Sequence, residues 1–166
     1  EEGSMKIGFS SSYPNEYTYI SATPFSWLEA SYKYAEQKNL KYGPASFSGN
    51  QTLKDKGFDL KVRLLKESYF MPEVAIGWND LAGTGKFAAE YIAATKKIKN
   101  ADITIGYGWG ALGQNQNVRN PLLSVSDDFK YRKKNTGEGG AFNSKTWFSG
   151  KEISIYSGIE YYLQRH

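Results

Sequence analysis

The sequence predicts an all-β protein, an antiparallel up-and-down transmembrane β-barrel of about eight strands or part of a larger barrel. Three observations lead to this fold class. Apolar and polar residues alternate with a period of two along most of the chain, as in a strand with one apolar face. The connections between the alternating segments differ in length in a regular way. The composition of 13 Tyr, 9 Phe, 4 Trp and 17 Gly in 166 residues favours strands and tight turns over helices.

Eight segments show this alternation, and each has about the 9 to 11 residues that a tilted strand needs to cross a bilayer. In "GFDLKVRLLK", Phe58, Leu60 and Val62 fall on one face while Asp59 and Lys61 fall on the other, which a helix would not permit. No linker rich in Pro or Ser interrupts the pattern, so we expect residues 1–166 to form a single domain. The segments lie near 4–13, 16–24, 26–38, 56–67, 72–80, 85–98, 101–111 and 152–163.

The connections alternate in length, which a soluble sandwich does not require, although the short hairpin tips "YPNE" and "LAGTG" lie on the same side as the long loops. "TPFSW", "SYFMP" and "KIKNAD" are short, whereas residues 39–55 and 112–151 form long loops on the opposite side. Outer-membrane barrels have this asymmetry, with tight periplasmic turns and longer external loops. The longest loop is polar and is basic at Arg132, Lys133 and Lys134, and we interpret it as a mobile, solvated loop rather than an anion or sugar site.

Alternation also divides the strand residues between two faces. One face is apolar and suits contact with lipid, while the other carries charged and amide side chains among Gly, Ala and Ser. We predict that these polar residues line the barrel interior, where opposite charges can pair. Periodicity does not say which face is inside, so a soluble, lipocalin-like barrel that binds a ligand is an alternative. The predicted interior residues are Lys6, Glu29, Lys33, Asp59, Lys61, Arg63, Glu73, Asn79, Glu90 and Glu160.

Several other classes of protein lack support in the composition. There is no Cys, and the one His is His166, so we expect no disulfide, no metal site and no cofactor. A net charge of +4 without a dense basic patch does not indicate nucleic-acid binding. No apolar run reaches the roughly 18 residues of a transmembrane helix. The N-terminal "EEGSMK" contains no apolar signal segment, so we expect any export signal to have been removed or to lie upstream.

Two motifs suggest chemistry at first sight. Gly108-x-Gly110-x-x-Gly113 has the spacing of a dinucleotide-binding loop, but "QNQNVRNP" follows, which predicts a loop where that site needs a helix. Carboxylate pairs such as Glu73 with Glu90 are explained equally well by ion pairs with the neighbouring Lys and Arg side chains. We therefore predict no catalytic residue and a protein that is not an enzyme.

Three segments carry a family resemblance: "KGFDLKVRLLKES", "PEVAIGWNDLAGTGKFAAEYIAATKKI" and "ADITIGYGWGALG". Their motifs, in this order and spacing, resemble those of the YjbH-like family of outer-membrane exopolysaccharide biosynthesis and export proteins. With the upstream "YTYISATPFSWLEASYKYAE", the resemblance covers roughly two-thirds of the chain. The hairpin motif consists of Gly77, Asp80, Gly83, Thr84 and Gly85, and the strand motif of Gly106, Gly108, Gly110 and Gly113.

The resemblance implies a non-catalytic β-barrel in the outer membrane of a Gram-negative bacterium. Its expected partners are outer-membrane lipids, polysaccharide-export or barrel proteins, and the polysaccharide itself. Family members are several times longer, and "EYYLQRH" lacks the terminal aromatic residue typical of bacterial barrels, so we expect a truncated member or one segment of a larger barrel. About eight strands enclose only enough space for side chains, which favours a scaffold or conduit component over an independent pore. A small OmpA- or OmpW-like structural or adhesion barrel is the first alternative.

Overall fold

The protein is an antiparallel sheet with little helix, as seen in a computed structural model that describes residues 2–85, 87–133 and 144–163. The predicted residues Lys134 and His166, and the end of "EYYLQRH", lie outside this part of the chain. A single turn of α-helix, α1 (Ala45–Ser48), and four 3-10 turns occupy the loops. The strands are β1 (Ser4–Ser12), β2 (Asn15–Phe25), β3 (Leu28–Lys41), β4 (Thr52–Leu65), β5 (Glu73–Leu81), β6 (Ala89–Ile98), β7 (Ala101–Gly110), β8 (Val118–Arg119) and β9 (Glu152–Tyr161).

Neighbouring strands in sequence pair with each other from β1 to β7, and β9 then pairs with β7 on one side and with the short β8 on the other. The all-β, antiparallel, up-and-down prediction is confirmed, and all eight predicted segments are strands. The structure adds β8, which the sequence analysis placed within a loop. Within the described residues the sheet is open, because β1 forms one edge and is not paired with β8 or β9.

The two ends of the sheet differ in the length of their connections, as predicted. At one end, here called the turn end, residues 26–27, 66–72 and 99–100 connect the strands. The opposite loop end carries the two longest connections, 42–51 and 111–151, the second of which contains β8.

The two faces of the sheet differ sharply in polarity. On the apolar face, Met5, Ile7 and Phe9 of β1 are each about two-thirds exposed, and Ile105 of β7 and Ile159 of β9 are also exposed. The opposite, polar face carries charged side chains in the middle of the strands together with most of the strand glycines, whereas the charged residues on the apolar side, such as Glu36 and Lys96, lie toward the strand ends. Exposed apolar patches of this kind mark surfaces that a lipid or protein partner covers.

Tyrosine rings lie over glycines of neighbouring strands on the polar face. A Cβ atom on Gly77 would overlap the ring of Tyr91, its partner on β6, and Gly106 is covered in the same way by Tyr156 of β9. Gly8 and Tyr19 repeat the arrangement between β1 and β2. The rings fill the space above the glycines and shield the backbone there.

The densest packing lies where the parts of the long loop around Arg132 and Phe148 fold against the apolar face near the loop end. Trp109 and Ile153 are 1% exposed, and the ring of Phe148 contacts Trp109 edge-on at a centroid distance of 5.2 Å. Within this layer Glu90 is only 2% exposed. Its carboxylate accepts two hydrogen bonds from Arg132, at 2.6 and 2.9 Å, and one from the Phe148 backbone N–H at 3.0 Å.

This packing corrects two predictions. Glu90 does not share the face of the other predicted interior residues, since the strand register places it opposite Trp78 and Trp109 on the apolar face. Its charge is tolerated there because the Arg132 guanidinium neutralises it. Likewise, the loop around Arg132 is not simply solvated, because that side chain also donates to the carbonyl oxygens of Thr146 and Ala88.

We predict that Arg132→Met destabilises the protein by about 3–5 kcal/mol, because it leaves the buried Glu90 carboxylate without its counter-charge. Urea unfolding followed by tryptophan fluorescence measures the loss. Lys133→Met is the matched control, since the exposed neighbouring cation should contribute less than about 0.5 kcal/mol. Equal losses in the two variants would show that the ion pair with Glu90 does not hold the loop.

We also predict that Gly77→Ala lowers stability by about 1–3 kcal/mol, because the added methyl group displaces the ring of Tyr91. Gly158→Ala in β9 is the control, as a Cβ there meets no atom within 4 Å. The same unfolding measurement compares them. If Gly77→Ala is as stable as Gly158→Ala, the tyrosine does not depend on the glycine beneath it.

Candidate functional site: an acidic cleft on the polar face

The strongest candidate site lies on the polar face where β4 meets the hairpin between β5 and β6. The register between β4 and β5 shifts between Phe58 and Leu60, so that β5 carries one extra residue. At this bulge Asp80 adopts a positive φ of 58°, which is uncommon for a residue with a side chain but occurs more readily for Asp. The bulge turns the Asp80 carboxylate into the hairpin.

Asp80 organises the hairpin through its backbone and its side chain. Its backbone N–H donates to Oδ1 of Asp59 at 3.1 Å, and its Oδ2 accepts from the backbone N–H of Phe87 at 3.2 Å. A Cβ on Gly83 would overlap the Asp80 carboxylate, and one on Gly57 would lie 3.1 Å from the Asp80 Cα. Gly57 and Gly83 therefore leave the space that the Asp80 side chain and backbone occupy.

A second carboxylate fixes the tip of the hairpin. Asp55 of β4 is 6% exposed and accepts two hydrogen bonds from Thr84, at 3.1 Å from the backbone N–H and 2.9 Å from the hydroxyl. The hairpin is thus held to β4 at both Asp55 and Asp59. Because such pairs include charged acceptors, they are stronger than ordinary hydrogen bonds.

The three carboxylates share one region, and this perturbs the ionisation of Asp80. Burial, with the negative charges of Asp55 and Asp59, raises the pKa of Asp80 to about 6, although the backbone N–H groups of Phe87 and Gly85 oppose the shift. Lys33 forms an ion pair with Asp59, and among the described residues that line the cleft it is the only cation against the three carboxylates. The region therefore carries net negative charge at neutral pH.

An open cleft of about 260 Å³ lies above these groups. Tyr17 and Phe87 provide its aromatic wall, and Asn79 and Lys33 stand beside the carboxylates. In the described parts of the chain no three His, Cys, Asp or Glu side chains are arranged to hold a metal ion. Aromatic surface beside hydroxyl, amide and carboxylate groups is suited to binding a small polar organic molecule.

The structure distributes the sequence-predicted residues along the whole sheet rather than in one site. Arg63 pairs with Glu73 near the turn end, at 3.4 Å, and Lys33, Asp59 and Asn79 line the cleft. The register places all predicted interior residues except Glu90 on the polar face, namely Lys6, Glu29, Lys33, Asp59, Lys61, Arg63, Glu73, Asn79 and Glu160.

The two glycine-containing motifs have separate roles. Gly77, Gly83 and Gly85 belong to the Asp80 hairpin or its strand, whereas Gly106 and Gly108 lie on β7, away from the cleft. A Cβ on Gly108 would lie 2.8 Å from that of Leu112. A Cβ on Gly113 would lie 2.9 Å from the Gly108 carbonyl oxygen, and Gly110 turns the chain at a φ of 61°. These glycines allow the 3-10 turn Ala111–Gly113 to pack against β7.

Sequence reasoning missed three residues of the cleft. Tyr17 and Asp55 lie on the polar face by the same alternation as Asp59, but Asp55 precedes the predicted start of its strand at residue 56. Phe87 lines the cleft although its hydrophobicity favours the apolar face. The spacing of Asp55 and Asp59, four residues apart on one strand, was the available signal.

Comparison with known proteins gives a consistent result. The YjbH family model, described as "Exopolysaccharide biosynthesis protein YbjH", matches residues 1–166. The protein named "Uncharacterized lipoprotein YjbH" of Escherichia coli (strain K12) is 42% identical over 163 residues, covering 96% of this chain and 23% of that protein. No solved structure matches the chain. Among the described residues, no helix combines the length and hydrophobicity needed to span a bilayer.

We predict that the stability of the hairpin increases as the pH falls from about 7.5 to about 5. The folded state raises the pKa of Asp80 from 3.8 to about 6, so its contribution is fully present below the lower value and is lost as the pH rises through the higher one. Asp80→Asn cannot ionise, and its unfolding in urea should depend less on pH than that of the unmodified protein. Asp127→Asn, at an exposed carboxylate in the long loop, is the control. Identical pH profiles for all three proteins would contradict the perturbed ionisation of Asp80.

Proposed function

The chain belongs to the YjbH family of exopolysaccharide biosynthesis proteins, and on that premise we propose that it is a sector of an outer-membrane β-barrel that takes part in exopolysaccharide export. The observation that carries this proposal is the exposed apolar face on a sheet whose long loops all lie at one end. Bacterial outer-membrane barrels combine these two features.

The exposed apolar side chains form a belt that suits lipid. It runs from the exposed Ile7 in β1 through the half-buried Leu60 in β4 and Ile76 in β5 to the exposed Ile105 in β7 and Ile159 in β9. A soluble, lipocalin-like barrel would enclose this face, whereas here its outermost residues are 52% to 73% exposed. The acidic cleft lies on the other face, at the level of Phe58, which the register aligns with Ile7 of the belt.

The open sheet favours a role as one sector of a larger barrel. The described part of β1 presents an edge of backbone groups that are not paired within the sheet, and most of β9 is paired on one side only. The chain spans 23% of the length of its E. coli relative, so further strands are available in proteins of this size. A barrel completed by such strands, or by a partner protein, would be wide enough for a hydrated polymer.

We further propose a non-catalytic role in the cell envelope, with outer-membrane lipids, export or barrel proteins and the polysaccharide as partners. The name of the E. coli relative, a lipoprotein, supports an envelope location. On the polar face, charges are used in pairs such as Lys33 with Asp59 and Arg63 with Glu73. Paired charges of this kind supply no free acid or base, and the Asp80 carboxylate, whose pKa is raised, is bound to the backbone N–H of Phe87 in the hairpin.

Arginine substitution in β1 tests the proposed orientation. We predict that Ile7→Arg blocks insertion into the outer membrane and reduces secreted exopolysaccharide, because a charge facing lipid costs about 2–4 kcal/mol. Ser10→Arg, on the polar face of the same strand, should insert and support secretion. Both are measured as protein in the outer-membrane fraction and as polysaccharide in the medium of producing cells.

Three outcomes would contradict the proposal. Normal insertion of Ile7→Arg would argue that the apolar face does not contact lipid. If only Ser10→Arg failed to insert, the polar face and not the apolar face would be the one that contacts lipid. Unchanged secretion after deletion of the protein would remove its role in export.

A further inference from the structure

We infer that the polar face carries a track that binds sugar units without negative charge, running along β3 and β4 from the loop end toward the middle of the sheet. This inference rests on the proposed function, because it names the part of the protein that contacts the polysaccharide and the class of sugar that it accepts.

The track consists of three adjoining cavities. The acidic cleft of about 260 Å³ is the central one. Toward the middle of the sheet it shares Asp59 and Asn79 with a cavity of about 120 Å³. The hollow that it meets at Tyr17, Asp55 and Phe87 toward the loop end is only about 10 Å³, so the two larger cavities provide the space for sugar units. Because these residues line both of the cavities that meet at them, the hollows form one elongated groove. An elongated groove is suited to a linear chain rather than to a single small molecule.

The groove alternates aromatic rings with hydrogen-bonding groups. Tyr17 and Phe87 lie at its upper part, and Tyr91 lines the lower cavity. Asn79 stands between them and provides both an acceptor and two donors. The C–H faces of sugar rings pack on aromatic rings, while neighbouring hydroxyl groups bond to carboxylates and amides, so the groove offers both kinds of contact that a glycan needs.

The charges of the groove select against acidic sugars. Among the residues that the structure describes, four carboxylates line the two larger cavities, those of Glu29, Asp55, Asp59 and Asp80, against the two cations Lys33 and Lys61. Lys33 is already paired with Asp59. A uronate placed in the groove would meet an excess of negative charge in a partly desolvated site, which is unfavourable. Neutral hexose units avoid this cost.

Binding of defined oligosaccharides to the purified full-length protein in detergent tests the inference. The probes are hexasaccharides of glucose, galactose and mannose, with hexagalacturonate as the acidic counterpart, and the readout is isothermal titration calorimetry. We expect at least one neutral hexasaccharide to bind and hexagalacturonate to bind at least tenfold more weakly. Asn79→Ala and Tyr17→Leu should each weaken the neutral binding at least fivefold.

Matched variants outside the groove complete the experiment. Asn39→Ala and Tyr42→Leu, both at exposed positions near the end of β3, should bind as the unmodified protein does. Absence of binding by every neutral probe, equal binding of hexagalacturonate, or equal effects of Asn79→Ala and Asn39→Ala would each overturn the track. If deletion abolishes secretion and the groove nevertheless binds no sugar, the track is wrong while the role in export stands. If binding is found but deletion leaves secretion unchanged, the export role fails instead.

Discussion

The hydrogen-bonded register between neighbouring strands determines where every side chain of this protein lies. An antiparallel ladder exposes alternate residues on opposite faces, so a shift of one residue would move a whole strand's apolar set to the other side. From β1 to β9 the apolar set stays on one face, with Met5 opposite Ala22 at one edge and Ile155 opposite Tyr107 at the other. The strand pairing therefore determines which side chains form the belt, the groove and the ion pairs.

The register is broken where the protein gains a specific site. The extra residue in β5 lets Asp80 turn into the hairpin, and the glycines at 57 and 83 leave space for its carboxylate. The same interruption places Phe87 above the cleft, through its backbone N–H bond to Asp80. The extra residue in β5 and the two glycines beside Asp80 therefore shape the cavity.

The fold was largely predictable from the sequence because strand alternation records burial directly. The eight strands, their pairing order and the asymmetry of the loops follow from apolar periodicity and turn composition. Two features were not predictable on that basis. Glu90 was assigned to the polar face because it is charged. It lies on the apolar face because Arg132, a counter-ion 42 residues away in the sequence, neutralises its carboxylate. The cleft around Asp80 was the second feature, since Asp55 lay before the predicted start of its strand. The bulge at Asp80 depends on contacts among β4, the hairpin and two glycines, and these contacts join segments that are apart in the sequence.

The unpaired edge of β1 restricts the order in which the protein can be assembled. Until another strand covers that edge, its backbone groups can form hydrogen bonds with any extended chain. The exposed apolar side chains of Ile7 and Phe9 on the same strand would strengthen such an association. A sheet of this design is therefore prone to aggregation in water as an intermediate. In the proposed barrel this hazard would be avoided if the edges closed at the membrane surface, because the strand pairing would then be completed in the same step that buries the apolar belt.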